Sequence, residues 1–154
     1  IQERNCSYKL VVIGNMKKGK LFSEIKEMIK RNKLNVCFKG KVSLENLIHY
    51  YQTAKINVLP SMTTRFVFEG FGSIHIEANS CGTVSIGCLN SGNEDAIKNK
   101  KYLVKFGDQK HLAYLMQELL ECRNYDDCVP QNIKSIEEYK NQYLDIWKEL
   151  IEKV

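Results

Sequence analysis

Residues 56–87 read INVLPSMTTRFVFEGFGSIHIEANSCGTVSIG, and this stretch decides the fold class. Ile56–Leu59 is a short apolar run stopped by Pro60, as a buried strand is. After an irregular loop, Glu69-Gly70-Phe71-Gly72 leads into a helix from about Ser73 to Cys81, with Gly82 as its natural C-cap. Val84–Gly87 is a second apolar run. A strand, a helix and a strand in this order form a β-α unit, whose right-handed crossover makes the two strands parallel.

The same alternation runs outward in both directions. Upstream, Lys9–Ile13 reads as a strand ending at Gly14, Leu21–Asn32 as a helix with Phe22, Ile25, Met28 and Ile29 on one face, and Val36–Lys39 as a strand closed by Gly40. Ser43 is placed to cap a helix running to about Thr53, with Leu44, Leu47, Ile48 and Tyr51 inward. Downstream, Asn90–Asn93 is a polar turn, Glu94–Asn99 a short helix and Tyr102–Val104 a strand. Asp108 caps a helix to about Cys122. A last helix from about Ser135 carries Tyr139, Tyr143, Trp147 and Ile151 at four-residue spacing, a stripe for a core or an interdomain surface. The strands are continuous apolar runs that do not alternate. The expected architecture is therefore α/β, a Rossmann-like and mainly parallel sheet with helices on both faces.

The 154 residues make one domain, residues 1–154, with 135–154 as its C-terminal helix. A 44% hydrophobic and 27% charged composition is globular and excludes a disordered chain. The net charge of +5 comes from scattered lysines, which reads as a solvated surface and not as a nucleic-acid partner. The six cysteines form no C-x-x-C pair and no zinc pattern, so they read as reduced thiols in a cytoplasmic protein with no metal site. No apolar run approaches the roughly 18 residues of a membrane span. The N-terminus lacks both a signal pattern and an initiator Met, which suggests a fragment of a longer protein.

In an open parallel sheet, ligands bind at the carboxyl ends of the strands. The loop before Ser73 is the longest and oddest of the strand-to-helix connections. Glycines 70 and 72 allow close backbone approach, and the amides of Phe71, Gly72 and Ser73 at a helix start suit an anion. Glu69 lies just before this nest, where an acid also simply stabilises a helix dipole. Glu77 lies just over one turn inside, beside Ile74, Ala78 and Cys81, whose spacing marks a buried face. A carboxylate there needs a partner, and vicinal ribose hydroxyls are good donors to one. His75 falls on the far side of the Ile74–Ala78 stripe, within reach of a phosphate or of a helix neighbour. Arg65, in the preceding loop, is a lesser candidate to offset phosphate charge. His49 and His111 read as surface residues with no nucleophile nearby.

Glu69-Gly70-Phe71-Gly72-Ser73-Ile74-His75-Ile76-Glu77-Ala78 resembles the E-x7-E motif of GT-B retaining glycosyltransferases, in particular glycosyltransferase family four. The context fits: Leu59-Pro60-Ser61 before it, and Ala78-Asn79-Ser80-Cys81-Gly82 after it, similar to the family's E-A-x-x-x-G. Lys9–Gly14 and Asn35–Val42 resemble two further family segments. Asn90–Ile97 is similar to the S-G-G-x-P-E-A-I turn, with Ser91 at a usual glycine and Glu94 at a usual proline. The likeness covers about Tyr8 to Leu120. A bare E-x7-E is a weak signal; inside this ordered set of strand ends it is a strong one.

The resemblance implies the donor-binding, C-terminal half of an enzyme that transfers a sugar from a UDP- or GDP-sugar with retention. It assigns Glu77 to the ribose hydroxyls. Glu69, as the catalytic carboxylate, and the Gly70, Phe71, Gly72 and Ser73 backbone would hold the donor sugar and distal phosphate. Lys41, Val42 and Ser43 would lie at the base. It implies no cofactor and no catalytic metal. The acceptor, a glycan or a lipid-linked molecule, would come through an N-terminal domain absent here. That makes the chain alone inactive, and places it in the cytoplasm, with the basic balance suiting the cytoplasmic face of a membrane. One departure is structural: the family's first strand, with its cationic partners of the diphosphate, has no counterpart before Tyr8. Lys17, Lys18 and Lys20 read as surface. In the order 3-2-1-4-5-6 that strand is central, so its absence leaves a gap between Lys9–Ile13 and Ile56–Leu59 or forces them together. The alternative is a non-catalytic doubly wound module for a nucleotide or a protein partner. Such a module would pair Glu69 and Glu77 internally; an enzyme would point both into an open crevice.

Overall fold

The structure, a computed structural model, describes residues 8–16, 19–61, 72–97 and 99–122. Glu69, Gly70, Phe71, Arg65, Lys17, Lys18, Cys6, Cys128 and the expected C-terminal helix lie outside the described residues. Two compact units meet in sequence between Tyr50 and Tyr51.

In the first unit, β1 (Leu10–Ile13) pairs parallel with β2 (Val36–Gly40), in the register Leu10↔Val36 to Val12↔Phe38, with an irregularity before Ile13. The crossover is α1 (Lys20–Arg31). The Phe22 ring meets Phe38 edge-on at 5.2 Å, and the Lys26 ammonium lies 4.7 Å over Phe22. The apolar face of α1 is thinner than its spacing suggests. Phe22 and Ile29 are half-buried, whereas Ile25 and Met28 are exposed. β1 and β2 likewise contain no fully buried residue, against the expectation of strands covered on both sides. A two-stranded sheet with one crossover helix has too little chain to cover both faces.

α2 (Leu44–Thr53) begins at Ser43, whose hydroxyl accepts from the Asn46 backbone N–H at 3.3 Å and from Asn46 Nδ2 at 2.9 Å. Of its expected inward residues Tyr51 is buried and Leu47 half-buried, while Leu44 and Ile48 are exposed. In the second unit, the sheet order is β3-β4-β5, all parallel: β3 (Ile56–Val58), β4 (Val84–Cys88) and β5 (Leu103–Val104). Every residue of β4 is buried, as a central parallel strand requires. Val84, Ile86 and Cys88 join Leu103, Val104, Ile97, Leu115 and Leu119 in one core. α5 (Gln109–Glu121) supplies the two leucines, and its N-cap Asp108 accepts from the His111 N–H at 2.9 Å.

α3 (Ser73–Ser80) packs on β4 and ends in a Schellman turn. Thr83 N–H donates to Ala78 O, Gly82 N–H donates to Asn79 O, and Gly82 takes φ +84°. The short α4 (Asn93–Ala96) follows β4.

Candidate functional site

The first turn of α3 has no internal acceptor for its leading amides, so Ser73 and Ile74 N–H are open donors. Among the described residues no side chain caps them: the residue before the helix is Gly72, at φ +71°, with no side-chain hydrogen bond. That backbone shape favours glycine, and space demands it. A Cβ on Gly72 would fall 2.8 Å from Asn93 Nδ2 and 3.0 Å from His75 Cδ2. The helix therefore presents bare amides and its positive dipole end at the carboxyl side of the sheet, where β3 and β4 finish.

Just over one turn along, Glu77 is exposed and forms no ion pair among the described residues. The buried face is His75, Ala78 and Asn79, not Ile74, Ala78 and Cys81 as the spacing suggests. The helix is rotated because this side packs on β4 and α4. His75, expected on the far side, is instead fully buried and packs at Gly72.

Glu77 has a partner that its neighbours in sequence do not reveal. The Tyr51 hydroxyl donates to Glu77 Oε2 at 3.2 Å, leaving the second carboxylate oxygen for another donor. Tyr51 is 7% exposed. Burial, and then the adjacent Glu77 carboxylate, push its phenol far above the ordinary range. Its carbonyl accepts from Thr83 Oγ1 in a short hydrogen bond, which ties the end of α2 to the start of β4. The carboxylate is thus oriented by a protonated, anchored phenol, and no lysine among the described residues neutralises it.

The turn after β4 closes the corner. Ser91 Oγ donates to Cys88 O at 2.9 Å and accepts from Asn93 N–H at 3.2 Å. Asn90, at φ +58°, donates its N–H to Glu94 Oε1 in a short bond, and Glu94 N–H donates to Ser91 O. Both departures from the family turn, Ser91 for glycine and Glu94 for proline, thereby make hydrogen bonds that their usual occupants could not. Asn93 is wholly buried, and its Oδ1 accepts from Cys88 N–H at 2.9 Å.

In the first unit, Lys41, Val42 and Ser43 follow the carboxyl end of β2. Lys41 and Ser43 are exposed and Val42 half-buried. The Ser43 hydroxyl oxygen accepts both Asn46 bonds in capping α2, so what it keeps for a ligand is its O–H donor and its main chain. Glu69, Gly70 and Phe71 fall outside the described residues. Sequence reasoning missed Tyr51 and Asn93. A tyrosine on an inward helix face signals a hydroxyl in need of a partner, but not that the partner lies 26 residues away. Among the described residues no three His, Cys, Asp or Glu side chains gather as a metal site needs, and Cys37, Cys81 and Cys88 are free thiols. No described helix is long and apolar enough to cross a membrane.

Comparison with known proteins follows this geometry. Residues 1–136 match the family described as Glycosyl transferases group 1. The chain is 26% identical over 152 residues to the capsular polysaccharide biosynthesis glycosyltransferase CapM of Staphylococcus aureus, covering 97% of this chain and 38% of that protein. It is 27% identical over 115 residues to a GDP-mannose-dependent monoacylated alpha-(1-6)-phosphatidylinositol monomannoside mannosyltransferase of Corynebacterium glutamicum, covering 73% of this chain and 29% of that protein. Among solved structures, HepE of Anabaena in complex with UDP-glucose superposes with a TM-score of 0.69 at 18% identity, over 94% of this chain and 40% of that one. Sucrose-phosphate synthase from Thermosynechococcus elongatus gives 0.65 at 24% identity, over 95% and 39%. The chain thus spans about two fifths or less of each relative's length. The fold is Rossmann-like α/β, with parallel sheets and crossover helices.

Proposed function

The chain belongs to the group 1 glycosyl transferases, whose match takes in residues 1–136, and from this premise we propose that it binds the nucleotide-sugar donor of a retaining sugar transfer. The observation that carries the reading is the Glu77 carboxylate, exposed on α3, oriented by Tyr51 and just over one turn from an uncapped helix start. In this reading the unshared Glu77 oxygen accepts from the ribose hydroxyls, where charge-assisted bonds are strong. The α3 amides receive the distal phosphate and stabilise the charge that grows on the leaving diphosphate. Glu69 and the Gly70–Ser73 backbone hold the donor sugar, and the main chain of Lys41–Ser43 borders the base. The donor is the only small molecule this reading needs. The acceptor is a glycan or a lipid-linked molecule at the cytoplasmic face of a membrane. GDP-mannose, the donor on which the Corynebacterium glutamicum relative depends, and UDP-glucose, bound by HepE, are the donors to try first.

The test is an NMR titration of the full chain with UDP, GDP, UDP-glucose and GDP-mannose, repeated on Glu77→Ala. Amide shifts concentrated at Gly72–Glu77 and Lys41–Ser43 are expected with one nucleotide series, weakened about tenfold or more in the variant, as loss of a charged hydrogen bond predicts. A folded chain that shows no shifts with any of the four sinks the reading.

A further inference from the structure

Asn93 is built as though its side chain had a task beyond the turn that holds it. Its Oδ1 accepts from the Cys88 N–H at 2.9 Å, and an N–H can donate only to the oxygen end of the amide. The other end is therefore the NH2 group. That nitrogen is shielded from water and has no acceptor among the described residues, in a residue with 0% exposure. A buried donor left unpaired costs about 1–3 kcal/mol, and such groups are few in native proteins.

Two glycines make room for it. At Gly87 an added Cβ would fall 2.9 Å from Asn93 Cβ, so the bare strand lets the asparagine lie against β4. At Gly72 an added Cβ would fall 2.8 Å from Nδ2 itself. The unpaired nitrogen thus sits against the residue that caps α3, beside the open amides of Ser73 and Ile74. Nδ2, packed at Gly72, and the two amides that follow Gly72 in the chain are three donors. The Cys88 bond accounts for the oxygen end of this side chain and leaves the nitrogen end without a structural role.

We propose that Asn93 Nδ2–H is a donor to a phosphate oxygen of the nucleotide diphosphate, seated together with the Ser73 and Ile74 amides at the start of α3. The inference rests on the donor-site reading above and adds a residue to it. Nδ2 is shielded behind Gly72, so the Asn93 side chain or the Gly72 backbone must shift for a phosphate oxygen to reach it. A phosphate meets the need because it carries acceptors only, as three donors require. The bond supports the α3 dipole in holding the charge of the diphosphate.

The experiment follows the side-chain NH2 cross-peaks of Asn93 in the 15N-labelled full chain during titration with UDP, GDP, their sugar conjugates and free glucose. The expected result is a downfield shift of one Asn93 NH2 proton with UDP or GDP alone, saturating with the Ser73 and Ile74 amides. Asn93→Asp keeps the Cys88 bond but turns the donor into an anion, and should weaken nucleotide binding tenfold or more. The wild-type side-chain signal decides the matter even if that variant folds poorly. Shifts at Ser73 and Ile74 with a stationary Asn93 NH2 pair would overturn the proposal and leave the donor site standing. A shift that needs the sugar, or that glucose alone produces, would overturn the phosphate assignment. No shift anywhere in a folded chain would overturn the donor site and this inference together.

Discussion

Tyr51 is where the chemistry of a single residue does most to define the site. Its hydroxyl orients Glu77, and its carbonyl is fixed by Thr83. Tyr51→Phe keeps the ring in place and removes only the donor. The expected loss is about 1 kcal/mol of stability, with a several-fold loss of nucleotide affinity as Glu77 gains rotamer freedom. The sign of the pH effect follows from the raised phenol, whose ordinary value is 10.0. The folded state holds that proton more tightly than the unfolded chain does, so the contribution is complete below pH 10 and falls as the pH rises beyond it. Urea midpoints compared at neutral pH and at about pH 11 should therefore drop further for the wild type than for Tyr51→Phe. Equal drops would detach the phenol from the stability of the fold. None of this could be read along the sequence, because a hydroxyl names its need for a partner and not the partner's address.

At the scale of elements, α3 carries the site and two glycines define its ends for different reasons. Gly82 has φ +84° with open space around its missing Cβ, so Gly82→Ala meets only backbone strain, about 1 kcal/mol. Gly72 adds to its φ of +71° a Cβ position already occupied by Asn93 and His75. Gly72→Ala should thus cost more, about 2–3 kcal/mol in strain and displaced packing, and should weaken nucleotide binding where Gly82→Ala leaves it unchanged. Thermal melts and the same NMR titration check both, and equal behaviour of the two variants would refute the steric account. Gly82 was legible as a C-cap because the Schellman turn is local. The face of α3 was not legible in the same way. Ile74, Ala78 and Cys81 have helical spacing, but the helix buries His75, Ala78 and Asn79. An eight-residue helix with little apolar contrast is rotated by what it packs on, here β4 and α4.

Across the whole chain, burial is uneven. β4, β5 and α5 share the core, while α1 contains no buried residue. Leu119→Ala, at 2% exposure, should cost about 2–5 kcal/mol. Met28→Ala, at 51% exposure, should change stability by less than about 0.5 kcal/mol. Denaturant curves of the two variants measure the contrast, and comparable losses would show that α1 packs more tightly than its exposure indicates. By itself, the sequence determined the order of strands and helices, their parallel pairing, the caps at Ser43, Asp108 and Gly82, and the family resemblance carried by Glu69–Ala78. Those features depend on residues close together in the chain, through apolar runs, backbone conformation and the handedness of the crossover. Only the tertiary structure decided which strands are buried on both sides, that His75 lies inside, that Tyr51 meets Glu77 and that Asn93 packs at Gly72. These depend on pairs that meet across the sheet and on which elements have enough neighbours to exclude water.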